Sequence, residues 1–267
     1  MPELPEIETI IRSLKPLAGL RIEHLEVINP VVLRCQEFPP EDVKGKTIVD
    51  ITRRGKFIVI ETREGLALVV HLGMSGRFYL ANSRTPRAKH THAVLLLQNG
   101  QELRYHDPRR FGGLWLTRDS CRVVSRLGIE PLDSGLTVEY LSEMLGRRKT
   151  AIKNLLLNQK VIAGIGNIYA DEILHRAGIK PDRLANSLSP AEINSLHQAI
   201  VHTLELGIAH RGTTFRDYRD GLNLPGGFQN LLQVYGREGH PCPTCGQPIS
   251  RIVIGGRSSH YCPCCQQ

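Results

Sequence analysis

The sequence contains no run of 18 or more apolar residues, so it offers no membrane-spanning helix. Its start, MPELPE, is acidic and has no continuous apolar core, which excludes a secretory signal and predicts a cytoplasmic protein of a bacterium-like cell. There is no internal repeat and no low-complexity segment, so a solenoid or a disordered tract is not expected. An even cysteine count is lacking too: there are seven, and five of them fall in the last 26 residues. That distribution argues against a disulfide framework and for a metal site. Acidic residues are in short supply, 26 against 34 lysines and arginines, leaving a net charge of +8 that suits a polyanionic partner. The basic residues group at turns and helix starts: Arg53, Arg54 and Lys56; Arg109 and Arg110; Arg147, Arg148, Lys149 and Lys153; Arg216 and Arg219.

The chain of 267 residues has room for two or three domains. Ile7, Ile10, Ile11 and Leu14 recur at helical spacing behind Pro5, which suits a first helical turn. Residues 20–117 then read as short strands, among them KTIVDI (46–51), KFIVIE (56–61), LALVVHL (66–72) and HAVLLLQ (92–98). The last is followed by Asn99-Gly100, a dipeptide that predicts a type I′ hairpin. Strands at this spacing predict an antiparallel sandwich or barrel. Residues 118–136, with Gly128, Pro131 and Gly135, read as connecting chain, and from about 137 the period becomes helical. In LSPAEINSLHQAIVHTLELG (188–207), Ser189, Pro190 and Glu192 form the signature of a capping box.

Near the end, Cys242-Pro-Thr-Cys245 and Cys262-Pro-Cys-Cys265 make a CxxC…CxxC pattern. Two such knuckles complete a tetrahedral zinc sphere, and four thiolates leave no open position, so one structural zinc is expected. Cys264 beside Cys265 leaves two registers for the second pair, and the two-residue spacing favours Cys265. Between the pairs, Gly255-Gly256 predicts the turn of a zinc β-hairpin with Arg257 exposed just beyond it.

In chain order, MPELPEIETI, RRGKFI, HLGMSGRF, HDPRRFGG, KTAIKN, AGIGNIYADEIL, QVYGREG and the cysteine tail together closely resemble the formamidopyrimidine-DNA glycosylases, repair enzymes for oxidised purines. The resemblance covers essentially the whole chain. It implies an α+β multidomain protein: an antiparallel β-sandwich with flanking helices (1–130), a linker (131–136), a helix–two-turns–helix domain (137–227) and a zinc finger (228–267). DNA is then held in the cleft between the two main parts. The implied partner is double-stranded DNA carrying an oxidised base or an abasic site, bound by a monomer without any membrane.

The resemblance also implies chemistry at particular residues. Removal of Met1 would expose the secondary amine of Pro2, and an α-amino group with a pKa near about 8 is partly neutral at pH 7. Pro2 would attack C1′ of the damaged nucleotide and form a Schiff base, followed by β,δ-elimination. Glu3 would protonate the sugar ring oxygen and shuttle protons; Glu6 is a supporting residue that also suits the start of a helix. Lys56, after a glycine bend, would contact the phosphates flanking the lesion and assist catalysis. Met74, Arg109 and Phe111 match the residues that fill the void left by the flipped nucleotide. His71, Lys153, Asn167 and Arg257 match phosphate contacts, and Asn154 stands where family members often carry proline. The loop around 213–224 matches the one that closes on the flipped purine. The related endonuclease eight group begins Met-Pro-Glu-Gly-Pro, whereas Leu4 is fourth here, which favours the purine branch. A non-catalytic zinc-dependent DNA-binding protein would share the charge and the finger but would leave Pro2 and Glu3 without a role.

Overall fold

A computed structural model describes all residues from Met1 to Gln267. The chain forms two compact units: Met1–Arg126 with His210–Gln229, and Leu127–Ala209 with Asn230–Gln267. The segment His210–Gln229 packs with the N-terminal part, while the finger packs with the helices.

The first unit begins with α1 (Leu4–Leu14), whose Ile7, Ile10, Ile11 and Leu14 are all at most 3% exposed. Burial of each contributes roughly 2 kcal/mol, enough to hold the helix against the sheets. Nine strands follow: β1 (Ile22–Val27), β2 (Leu33–Gln36), β3 (Ile48–Arg54), β4 (Phe57–Thr62), β5 (Ala67–His71), β6 (Arg77–Asn82), β7 (Thr91–Leu97), β8 (Gln101–His106) and β9 (Gly113–Thr117). They make a four-stranded sheet, β1-β7-β8-β6, and a five-stranded sheet, β2-β9-β5-β4-β3. All pairings are antiparallel except β2 with β9. Side chains of both sheets share one apolar core with α1, through residues such as Ile51, Ile58, Val70, Phe78 and Leu103.

The turn after β7 differs from the expected type I′. Gly100 has φ 77° and its N–H donates to the Leu97 carbonyl, while Asn99 keeps a negative φ. The Asn99 side chain bonds both the Gln101 N–H and the Gln101 side chain, which favours a three-residue loop closed by a left-handed glycine. The stretch read as connecting chain carries a short helix, α2 (Ser120–Val124), capped by the Asp119 carboxylate.

The second unit holds α3 (Val138–Gly146), α4 (Ile152–Leu156), α5 (Asn167–Ala177) and α6 (Pro190–Ala209), then the hairpin β10 (Ser250–Ile254) and β11 (Arg257–Tyr261). The capping box at the start of α6 is formed: Glu192 accepts from the Ser189 N–H at 2.7 Å, and the Ser189 hydroxyl accepts from the Glu192 N–H. At the tip of the finger, Gly255 and Gly256 both have positive φ, the geometry of a type I′ turn. Helix α4 forms without the proline often found at position 154, and Asn154 lies so close to Gly255 that a side chain there would collide with it.

Candidate functional site

In the first unit, the N-terminal carboxylates are joined by their own helix start. Glu3 is the N-cap of α1, and Glu3 and Glu6 form a reciprocal capping box. Glu6 Oε2 accepts from the Glu3 N–H at 2.8 Å, and both residues are nearly fully buried, as is Pro2. The other oxygen, Glu6 Oε1, accepts from the Thr213 N–H at 2.6 Å. Gly212 makes this approach possible: with φ 76° and no side chain, it leaves the space that the Glu6 carboxylate fills. The Tyr218 hydroxyl donates to the carbonyls of Glu6 and Arg211, and the Gly221 N–H donates to the Ser13 hydroxyl. The glycine-rich segment after residue 210 is therefore laced along α1, with Glu6 linking it to the backbone of Glu3.

Lys56 stands in the two-residue turn between β3 and β4, after Gly55 at φ 55°. It is only 5% exposed. Beside this turn, His71 at the end of β5 lies opposite Phe57, ring to ring at 4.8 Å. Burial, and next the Lys56 charge, push the His71 pKa down to about 4, against a smaller opposing pull from Asp107. Its Nδ1 accepts from the Gly73 N–H at 3.2 Å, so the neutral ring carries its proton on Nε2. His71 is thereby a neutral hydrogen-bond donor near pH 7, suited to a phosphate oxygen without adding charge.

This shift has a consequence for stability. Between the ordinary value of 6.5 and about 4, the unfolded chain binds a proton that the folded chain refuses. The contribution is complete above pH 6.5 and is lost as the pH falls toward 4, by at most about 3 kcal/mol. Urea melts at pH 7 and pH 4.5 should show His71→Gln losing less stability between those values than the unchanged chain. Equal losses would show that His71 is not the titrating group.

Met74, Arg109 and Phe111 sit on two turns that are fastened together. Asp107, wholly buried, accepts from the Ser75 hydroxyl at 2.8 Å, the Gly112 N–H at 2.9 Å, and the Arg109 N–H and Tyr105 hydroxyl at 3.3 Å. Gly73 and Gly112 pack backbone to backbone, with no room for a Cβ on either. The Arg34 guanidinium donates to the carbonyls of Arg110 and Gly112, which holds Arg110 at its left-handed φ of 55°. From this rigid base Met74 and Phe111 project at 46% and 56% exposure, and the Arg109 guanidinium lies 4.5 Å above the Phe111 ring. Large apolar side chains held in solvent by stapled backbone are suited to contact with another molecule.

In the second unit, Lys153 and Asn167 converge on one carbonyl beside Arg257. Lys153 Nζ and Asn167 Nδ2 donate to the Ser258 oxygen at 2.7 and 3.1 Å, next to exposed Arg257. Lys153 is buried and pairs with Asp171 at 2.6 Å, so it helps position the hairpin. Asp171 also accepts from the His260 N–H, and its neighbour Glu172 accepts the N–H groups of Gln233, Val234 and Tyr235. These two α5 carboxylates lock the finger and its approach segment onto the helix.

The sulfurs of Cys242, Cys245, Cys262 and Cys265 lie within 4.8 Å of one another, with Cys242–Cys265 at 4.0 Å and Cys245–Cys262 at 3.4 Å. A tetrahedral zinc with Zn–S bonds of about 2.3 Å requires sulfur separations of about 3.8 Å, so the four fit one ion. Cys265 rather than Cys264 completes the set, and Cys264 faces solvent. His175 Nε2, at the end of α5, stands 3.6 Å from the Cys242 sulfur, where an N–H would stabilise a thiolate.

Sequence reasoning did not single out Asp107, Arg34, Asp171, Glu172 or His175. Asp107 lies inside the quoted HDPRRFGG stretch, and an aspartate before a proline and a tight turn was the available signal. Each of the others makes at least one bond across more than 50 residues of chain, which no local pattern reveals.

Family models match the chain in three blocks: the formamidopyrimidine-DNA glycosylase N-terminal domain over residues 1–114, the formamidopyrimidine-DNA glycosylase H2TH domain over 127–219, and the zinc finger found in FPG and IleRS over 239–267. A formamidopyrimidine-DNA glycosylase of Syntrophomonas wolfei is 53% identical over 256 residues, 96% of each chain. Among solved structures, the MutM (FPG) protein of Thermus thermophilus is 40% identical with a TM-score of 0.89, covering 99% of this chain and 98% of the other. A variant of Lactococcus lactis FPG, in complex with DNA containing Fapy-dG, is 37% identical with a TM-score of 0.93 over the full length of both. The matched domains, the identity over nearly the whole length and the shared fold place this chain in the formamidopyrimidine-DNA glycosylase family.

Proposed function

We propose that this protein is a bifunctional DNA glycosylase and AP lyase that removes formamidopyrimidines and 8-oxoguanine from duplex DNA. The observation that carries the reading is the buried start of α1, where Glu6 ties the backbone of Glu3 to that of Thr213. A chain terminus held this firmly is positioned to act on a substrate rather than to fray.

Once Met1 is removed, the Pro2 nitrogen forms a bond to C1′ of the extruded nucleotide. The glycosidic bond breaks and its electron pair leaves with the base, which takes up a proton. Glu3 protonates the ring oxygen, the sugar opens, and the nitrogen lone pair completes an iminium ion. Loss of a C2′ proton then expels the 3′ phosphate, and a second elimination expels the 5′ phosphate, leaving a one-nucleotide gap. Lys56 and neutral His71 hold the flanking phosphates, with Asn167 and Arg257 as further contacts. Met74, Arg109 and Phe111 occupy the vacated space in the duplex. One zinc on four cysteines keeps the finger folded. The protein works as a monomer in the bacterial cytoplasm; the bacterial relatives support that location, and no helix is long and apolar enough to cross a membrane.

Borohydride trapping tests the reading. With an 8-oxoguanine:cytosine duplex the unchanged protein should give a covalent adduct, and Pro2→Gly should reduce it by at least about 100-fold. Binding without any adduct would make the protein a non-catalytic DNA binder. Undiminished trapping in Pro2→Gly would assign the nucleophile to another amine.

A further inference from the structure

The outward face of the four-stranded sheet carries a feature that the machinery above does not use. Arg77 opens β6, Thr91 opens β7 and His106 closes β8; Arg77 and Thr91 both stand directly opposite His106. Thr91 is set beside a β-bulge, and the three residues stand in one row across the end of the sheet. Each has a buried polar atom with no hydrogen-bond partner: Arg77 Nε, Thr91 Oγ1 and His106 Nδ1. Buried polar groups are nearly always satisfied, and three orphans on one row point to a ligand common to them.

The next row on the same face shows what full satisfaction looks like. Arg104, two residues before His106, gives its Nε to Glu102 and its other nitrogens to the carbonyls of Asn82, Thr85 and Pro86. Arg77 has no such carboxylate. The neighbouring rings bring no negative charge, with His90 6.0 Å from His106 and 6.4 Å from His92, and the Asp107 oxygens are committed to the two turns. Burial, then Arg77, His90 and His92, lower the His106 pKa, and Asp107 only partly offsets them. A water molecule would satisfy the orphaned atoms but leave the half-buried guanidinium uncompensated. A phosphate oxyanion does both, because all three orphans can donate hydrogen bonds to it.

We infer that Arg77, Thr91 and His106 form an anion subsite that takes a phosphate group. The row lies at the end of the sheet from which both stapled turns issue: Met74 is three residues before Arg77, and Arg109 three after His106. On the proposed function, which this assignment of the source rests on, the phosphate belongs to the DNA backbone near the vacated nucleotide. Free phosphate has the same chemistry.

The test uses the full protein, Arg77→Gln and Thr91→Val, with a duplex carrying a tetrahydrofuran abasic analogue. Phosphates of the duplex are replaced one at a time by neutral methylphosphonate. One position should weaken the unchanged protein by about tenfold yet cost Arg77→Gln and Thr91→Val little, and the salt slope of Arg77→Gln should fall by about 0.9. In parallel, His106 ring resonances are followed during titration with inorganic phosphate. Coupling to one DNA phosphate supports a DNA subsite. No coupling, but a phosphate-dependent His106 shift that Arg77→Gln abolishes, supports a free-phosphate subsite. Absence of both effects overturns the inference and leaves an ordered water on the row. Should the unchanged protein fail to prefer the abasic duplex over undamaged DNA, the proposed function falls, while the titration still decides the subsite.

Discussion

In Asp107→Ala, base release in single-turnover experiments should fall by about 100-fold, and the first unit should lose about 3 kcal/mol or more of stability. The carboxylate is wholly buried and is the common acceptor of four donors from the turn holding Met74, the turn holding Arg109 and Phe111, and strand β8. Alanine leaves the Gly112 N–H without its acceptor and frees the two turns to part. A displacement of about 1 Å in groups that hold the duplex open is enough to cost the stated factor. Asp107→Asn is milder, about tenfold, because the amide oxygen serves one pair of donors and its nitrogen can donate to a hydroxyl of the other pair. Denaturant melts and excision rates on the same preparations check both values. An alanine variant with unchanged excision would mean that the glycines and Arg34 hold the turns unaided.

Glu6→Gln is the second large effect, and it is larger than the conservative look of the change suggests. Each Glu6 oxygen accepts from a backbone N–H, Glu3 on one side and Thr213 on the other. Glutamine offers one oxygen and one NH₂, so whichever way it turns, a donor faces a donor. Excision and borohydride trapping should both fall by between about 10- and 100-fold, since the backbone of Glu3 and the segment after residue 210 lose their common support. Glu6→Ala removes the clash but also both hydrogen bonds, which should cost about 3 kcal/mol of stability. A variant that traps normally would reduce Glu6 to a helix cap.

Much of this was legible in the sequence where the signal is local. The apolar face of α1, the strands over 46–98, the capping box at Ser189 and Glu192 and the four zinc cysteines rest on periodicity or spacing within a few residues, and all are present. The type I′ prediction at Asn99-Gly100 failed because the Asn99 side chain bonds to Gln101, a competing interaction that the dipeptide rule omits. The reading of Glu6 as an accessory to the helix start was half of its role. The other half depends on Thr213, 207 residues later, and no periodicity encodes a bond across that distance. The burial of Lys153 against Asp171 depends on α5 and β11 meeting, a tertiary event that no local motif encodes.

The membership of His210–Gln229 in the first unit bears on how the protein is made. The first unit's leading segment is complete when Arg126 has been synthesised, yet the piece that packs on α1 ends 103 residues later, at Gln229 (229 − 126). At about 5–20 residues per second, a ribosome needs roughly 5–20 s to cover that interval. The terminus read here as the catalytic amine is thus the earliest part of the chain to be made, and its surroundings are among the last to close. A nascent chain passes through a period in which Glu6 has its helix but not Thr213. Fragments ending near residue 136 would remain in that state for good, whatever the length of their sandwich.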